Sequence, residues 1–459
     1  MQTTTTHFPG TTNPGHLPKV DTTGLGRHIG RTMHLLASGT AEKHTKLKVV
    51  FYGQSIIDEN NPWPRRLAQW LRETYPFTDF EPVYKLAVGG YSTQIMSSLA
   101  PMDMKKHYPD LVIILITGSH YDYETIVKTI KETTTADVMI LTEHISRGSR
   151  LDFATWSDTM EREHLPNIAQ NHGAELCPLR KTWRYYLVAH NLHEDVFLGA
   201  DGGHLNSDGQ NFILEIVKQF FVRDEEAVAA AEKKLRGEWV DLATDSWMDG
   251  VLTIPFHGNR VEVFQDAGQE TCAPAEVRIN GKKPSEWVEL YVHERIGHGW
   301  MAPGYLRRLE IKTPHKPQLW TLEFTKWEPV YNTGERGTQQ FAFQYTVTGD
   351  DAGCLGISTV GRFLSKGRWS WQNSTRDGHF DSDILKINGE DFYFGMKKPF
   401  LGARYYFKTQ PNGVDIYDGS QPLLFSGLPV GDYVLTLAAT DKNNIPKIKR
   451  IRVCDPMRH

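Results

Sequence analysis

The sequence predicts an α/β fold: a parallel sheet with helices on both faces, followed by a mostly β, sandwich-like domain. Three observations carry this expectation. From Leu47 to about Val222, apolar strand runs alternate with segments of helical period. The clearest run, Leu111-Val112-Ile113-Ile114-Leu115-Ile116, is apolar without interruption, as parallel strands covered on both faces are. Beyond Trp239 the alternation stops, and short strands set between turn signals replace it. At 459 residues, a single hydrophobic core is not expected, and the change of rhythm places the division.

Residues 1–40 read as an N-terminal arm. The first eighteen are rich in Thr, Pro, Gly and His, and 31–37 form a short helical turn. Within 41–236, Leu47-Lys48-Val49-Val50-Phe51-Tyr52 makes the first strand, and Gly53-Gln54-Ser55 turns off its end. Pro62 and Pro64 open a helix over 63–75, with Leu67, Trp70 and Leu71 on one face. Strands follow over 80–88, 110–116, 137–142 and 174–179, with helices over 123–132, 158–171 and 208–222. Such βαβ alternation implies a parallel sheet with helical cover. The stretch 224–236 is charged and carries Ala227, Ala229, Ala230 and Ala231, so it reads as a helix linking the two domains.

Residues 237–459 read as β. Alternation marks 260–264, 320–327, 339–347 and 431–437, and 447–453 makes a final strand. Asn280-Gly281 and Asn388-Gly389 are hairpin pairs. Trp369 and Trp371 fall on one face of a strand, where they fill a core or stack on sugar rings. Asp377, Asp381 and Asp383 share a polar loop, but not with the spacing of an EF-hand.

Composition narrows the function classes. A net charge of −4, with 39% hydrophobic and 23% charged residues, is ordinary for a globular chain and gives no reason to expect nucleic acid or an anionic membrane as partner. No apolar run approaches the ~20 residues of a membrane span. The four cysteines are scattered without metal-ligand spacing, and no metal or organic cofactor is expected. No signal peptide opens the chain as given, which reads as cytoplasmic, or as secreted or periplasmic if a signal has been removed.

The segment Asp201-Gly202-Gly203-His204, with Asn206 and Gly209 after it, sets an acid three residues before a histidine in a loop loosened by glycine. That arrangement places a catalytic base beside its orienting carboxylate. Ser55, just past the first strand, completes the chain order Ser, Asp, His. Ser55, Gly90 and His120 all follow strand ends, and open α/β sheets bind ligands beyond the carboxyl ends of their strands. Glu143 and His144 follow a strand at the same edge, and Tyr121 and Tyr123 offer aromatic walls.

These residues resemble the GDSL, or SGNH, hydrolases over roughly the first half of the chain. Gly53-Gln54-Ser55-Ile56 stands where the family has Gly-Asp-Ser, with Gln54 in place of the acid. Val88-Gly89-Gly90-Tyr91 supplies the second block, with Gly90 the better aligned glycine. Gly118-Ser119-His120-Tyr121 stands for Gly-x-Asn-Asp, so His120 replaces an asparagine, and Asp201 to His204 matches the fourth block in full. The resemblance implies a flavodoxin-like sheet, Ser55 as nucleophile, His204 as base and Asp201 as orienter. It also implies an oxyanion hole from the Ser55 and Gly90 N–H groups, with His120 as a third donor. Gln54, Tyr121, Glu143 and His144 are candidate substrate contacts. The expected function is removal of small acyl groups, acetyl above all, from a carbohydrate. Two other readings stay open: a lipase or thioesterase with the same triad, and a glycan-binding protein without turnover, which Gln54 and His120 motivate.

Overall fold

A computed structural model of the chain describes residues 20, 24–58, 61–89, 91–243, 245–265, 273–295, 305–306, 310–311, 314, 316–332, 338–349, 357–358, 363–364, 384–388 and 404–458. The chain divides into two compact units. One comprises 1–97, 109–131 and 135–235; the other comprises 98–108, 132–134 and 236–459.

The first unit is built on five parallel strands: β1 (Thr45–Gly53), β2 (Thr78–Val83), β3 (Leu111–Leu115), β4 (Asp137–Leu141) and β5 (Glu175–Cys177). They lie in the order β2-β1-β3-β4-β5. Every residue of β3 and β4 is buried, which explains their uninterrupted apolar runs. One face, including Leu47, Val49, Phe51, Ile113 and Met139, packs in a core with Met33, Trp63, Leu67, Trp183 and Phe212 from the helices. The opposite face, including Val50, Tyr52, Val112, Ile114 and Ile140, is equally buried. This is the two-sided α/β arrangement that the sequence and the SGNH resemblance imply.

Among the described residues, the helices follow in the order α1 (Gly30–Ala37), α2 (Pro62–Thr74), α3 (Thr93–His107), α4 (His120–Thr133), α5 (Trp156–Thr159), α6 (Leu165–His172), α7 (Leu179–Ala189) and α8 (Ser207–Lys218). Helix α9 (Glu225–Gly237) follows them. Between α5 and α6, one π-helical turn, Met160–His164, interrupts the single helix expected over 158–171.

Two helices and one strand boundary depart from the sequence reading. Helix α3 carries Pro101 inside it and has almost no amphipathic contrast, so no helical period stands out. Helix α7 buries Arg180 and Arg184 beside Leu179, Trp183 and Leu187, and the two charges mask its apolar face. The second strand was expected over 80–88 but ends at Val83. Pro82 lacks the donor a continuing ladder needs, and β2 is an edge strand where a proline is tolerated. The chain then turns: the Ala87 N–H donates to Tyr84 O at 3.1 Å and the Val88 N–H to Gly53 O at 2.9 Å.

The second unit is β-rich and antiparallel. One sheet joins Ile416–Tyr417, Ala275–Ile279, Leu423–Ala439, Val251–Gln265, Ile448–Cys454 and Trp239–Asp241, with Trp247–Met248 pairing at the side. Another joins Tyr291–His293, Arg404–Pro411, Gln318–Asn332, Thr338–Gly349 and Ile384–Asn388. Val261, Val263, Val277, Leu424, Leu435 and Leu437 belong to the buried core of the first of these two sheets. Trp369, Trp371, Asp377, Asp381, Asp383, Cys272 and Cys354 lie outside the described residues, while Cys177 and Cys454 are buried free thiols.

Candidate active site

The strand order fixes where the site forms. β2 and β3 flank β1 on opposite sides, so the connections leave the sheet in divergent directions beyond the carboxyl ends of β1 and β3. The parallel register sets Gly53 opposite Leu115, so both chains leave the sheet side by side. A Cβ on Gly53 would sit 2.0 Å from Leu115 O, which explains a glycine at the last residue of β1.

The turn after β1 is pinned at several points. The Gln54 N–H donates to Leu115 O at 3.3 Å and the Ile57 N–H to Gln54 O at 3.0 Å. Asn61 Nδ2 donates to Ser55 O, and Gln210 Nε2 on α8 donates to Asn61 Oδ1 at 2.5 Å. The Trp63 indole N–H donates to Ile56 O at 2.6 Å. Ser55 is thereby held half-buried at the sheet edge. Gly89 lies against it: a Cβ there would be 3.3 Å from the Ser55 Cβ. The sequence favours Gly90 as the glycine of this block, and Gly90 lies outside the described residues. Among the described residues, nothing accepts a hydrogen bond from the Ser55 N–H.

The loop before α8 delivers the other two groups. His204 Nε2 is 2.9 Å from Ser55 Oγ, and His204 Nδ1 is 2.5 Å from Asp201 Oδ2. Asp201 Oδ1 also accepts from the Gly203 N–H at 3.0 Å and the His204 N–H at 2.9 Å. The His204 ring and these two N–H groups hold the Asp201 carboxyl well below the usual carboxylate range, so it is ionised at neutral pH. Gly202 takes φ +69°, a conformation that favours glycine, and a Cβ on it would meet Arg147 at 2.8 Å. Asn206 caps α8 by accepting from the Asp208 and Gly209 N–H groups, while its Nδ2 donates to Val196 O and Leu198 O. The loop is therefore fixed at its C-terminal end two residues after His204. Both Asp201 and His204 are more than half exposed.

His120 opens α4 in a cluster of rings. It stacks on His164 with centroids 3.9 Å apart and planes 6° apart, with Tyr121 at 3.8 Å and Trp156 at 5.9 Å. Partial burial and the neighbouring His164 lower its pKa and favour the neutral ring. The ring packs against other rings and makes no hydrogen bond among the described residues. Tyr121 is 64% exposed and Trp156 46%, the latter held by its indole N–H donating to Gly118 O at 2.8 Å. Gly118 packs on Thr93, whose Oγ1 a Cβ there would meet at 2.3 Å.

The remaining sequence candidates divide. The Gln54 side chain makes no hydrogen bond among the described residues. Tyr123 is fully buried in the core, so it walls no pocket. The Glu143 carboxylate accepts from Ser157 Oγ. The His144 ring turns onto the loop that carries Asp201, with Nε2 at 2.7 Å from Gly203 O. Sequence reading passed over Asn61, Trp156, His164 and the buried pair of Arg180 with Asp158. An asparagine six residues after the serine is the only local signal among them; the rest meet the site through distant segments.

No protein-family model and no curated protein matches the chain. Among solved structures, the first unit is similar to Axe2, an acetylxylan esterase from Geobacillus stearothermophilus, at 16% identity over 39% of this chain and 95% of that one, with a TM-score of 0.33. It is also similar to the acetyl xylan esterase AlAXEase, at 17% identity over 38% of this chain and 100% of that one, with a TM-score of 0.33. Likeness at this level leaves the chemistry to the site itself. Among the described residues, no cluster of metal-ligating side chains occurs, and no helix is long and apolar enough to cross a membrane.

Proposed function

We propose that the protein is a serine esterase that removes short acyl groups, acetyl above all, from a carbohydrate. The observation that carries the reading is the continuous hydrogen-bonded line Ser55 Oγ, His204, Asp201 at the carboxyl edge of a parallel sheet. In this reading Ser55 Oγ attacks the ester carbonyl carbon while His204 Nε2 takes its proton. The imidazolium that forms is stabilised by the ionised Asp201. The tetrahedral intermediate then collapses, its C–O bond breaks, and His204 returns the proton to the leaving alcohol. Water repeats the sequence on the acyl-enzyme and releases the acid. The Ser55 and Gly90 N–H groups, with a ring N–H of neutral His120, are the proposed oxyanion donors.

Exposure favours a short acyl group on a large carrier. His204 and Asp201 stand at the surface, where a polymer can approach, and Tyr121 and Trp156 present open aromatic faces. A long acyl chain needs a tunnel that sheds water, and a surface site does not supply one for it. The test is acetate release from acetylated plant and algal glycans, alongside chromogenic esters of increasing chain length. Ser55→Ala should lower acetyl ester turnover by about a millionfold while the protein stays folded. Turnover that survives in the alanine variant would remove Ser55 from the reaction. Faster turnover of long chains than of acetyl would favour the lipase-like alternative.

A further inference from the structure

Three backbone carbonyls of the loop that carries Asp201 and His204 accept hydrogen bonds from one segment. His144 Nε2 donates to Gly203 O at 2.7 Å. The Arg147 N–H donates to Gly202 O at 2.9 Å, and its guanidinium donates to Ala200 O at 3.2 Å. The same turn sends its Gly203 and His204 N–H groups the other way, onto Asp201. The peptide planes are thus fixed from both sides, and the carboxylate with them.

The segment over 143–148 has its own foundation. Arg180 donates to His144 O at 2.7 Å through one guanidinium nitrogen and to Asp158 Oδ1 at 2.8 Å through Nε. Arg180 and Asp158 are 2% and 1% exposed, and Arg184 approaches Asp158 at 2.7 Å. Gly148 N–H donates to Glu194 Oε1 at 2.6 Å, and Asp195 receives Arg147 Nε at 2.7 Å. A buried ion pair is a costly way to gain stability, and apolar packing would serve that purpose at least as well. Its contact with the His144 carbonyl gives it a directional task. The proposed reaction uses none of these groups.

We propose that His144 is a positioning residue: by donating from Nε2 to the Gly203 carbonyl, with Arg147 as a second limb, it fixes the loop that aims Asp201 and His204 at Ser55. This rests on the esterase reading for its kinetic consequence, but not for its structural one. Burial disfavours the charged ring, which leaves a neutral His144 with its proton on Nε2 for this bond.

The experiment uses the full chain with His144→Phe, His144→Gln and Arg147→Met. It reads kcat and KM on 4-nitrophenyl acetate, and the far-downfield proton line of the His204 Nδ1–H in its bond to Asp201. His144→Phe keeps the ring volume without the donor. It should lose about a hundredfold in kcat with KM held, because small displacements of reacting groups are costly, and its downfield line should broaden or vanish. His144→Gln, which restores an N–H donor, should recover at least about a tenth of the parent rate and the downfield line. A parent-like kcat and an unchanged line in His144→Phe would overturn the proposal. So would a loss confined to KM, which would make His144 a substrate contact. If His144→Phe fails to fold, Arg147→Met decides: loss of kcat with a broadened line supports the clamp, and parent values overturn it. If the parent itself hydrolyses no ester, the esterase reading fails, while the downfield line still reports on the clamp.

Discussion

Two carboxylates in the first unit are held well below the ordinary range, and they are built in opposite ways. Asp201 is more than half exposed and pairs with His204, whose ring reaches Ser55 on its far side. Asp158 is 1% exposed and pairs with Arg180 and Arg184, neither of which loses its proton in a protein. Burial alone would raise the Asp158 pKa, but its bonds to Arg180, Thr155 and Arg184 outweigh it. The exposed pair has a partner that can exchange a proton, and solvent and substrate can reach it. The buried pair has a partner that cannot, and it holds backbone in place. Similar electrostatic stabilisation of a carboxylate thus holds backbone in one place and, in the proposed reaction, serves chemistry in the other.

The comparison breaks most visibly at the exposed pair. Asp201→Asn should lower kcat for acetyl esters by about ten-thousandfold, because an amide no longer selects the His204 tautomer that accepts the Ser55 proton. Thermal stability should change little, since exposed ion pairs contribute about 0–1 kcal/mol. A large fall in melting temperature would erase the distinction between the two pairs.

Asp158→Asn should do the reverse. It removes the carboxylate that Arg180 and Arg184 share and should cost about 3–5 kcal/mol in denaturant titrations. The pH dependence has a definite sign. The folded Asp158 pKa lies below the unfolded value of about 3.9, so its stabilisation is complete above that value and is lost as pH falls toward the folded pKa. Acid titration of stability should therefore be steeper in the parent than in Asp158→Asn. Equal slopes would show that Asp158 contributes nothing across that range.

His120 sharpens the comparison with a smaller effect, since its ring stacks on His164 and makes no hydrogen bond among the described residues. If it completes the oxyanion hole, His120→Ala should lower kcat by about a hundredfold to a thousandfold, and His120→Asn should recover part of the loss. Equal rates in all three proteins would leave the hole to backbone donors, with the His164 stack as the ring's whole role.

The sequence by itself determined the parallel α/β unit, because strands buried on both faces need uninterrupted apolar runs, and β3 and β4 write that requirement into consecutive residues. It also named Ser55, Asp201 and His204, because each stands in a local motif at a strand or helix end. Tertiary structure alone decided their geometry: 149 residues separate Ser55 from His204, and the β1–β3 register and the Asn206 cap bring them to 2.9 Å. It also decided what surrounds them. Arg180 breaks the apolar face of α7 in the sequence, yet it is buried against Asp158 from a different helix. His144 reads as a substrate contact, yet its ring turns to a carbonyl 59 residues further along the chain. Helix α3 hid behind Pro101 and weak amphipathic contrast. Local sequence encodes period and motif, whereas the partner of a buried charge or a ring nitrogen is chosen by whichever distant segment the fold brings against it.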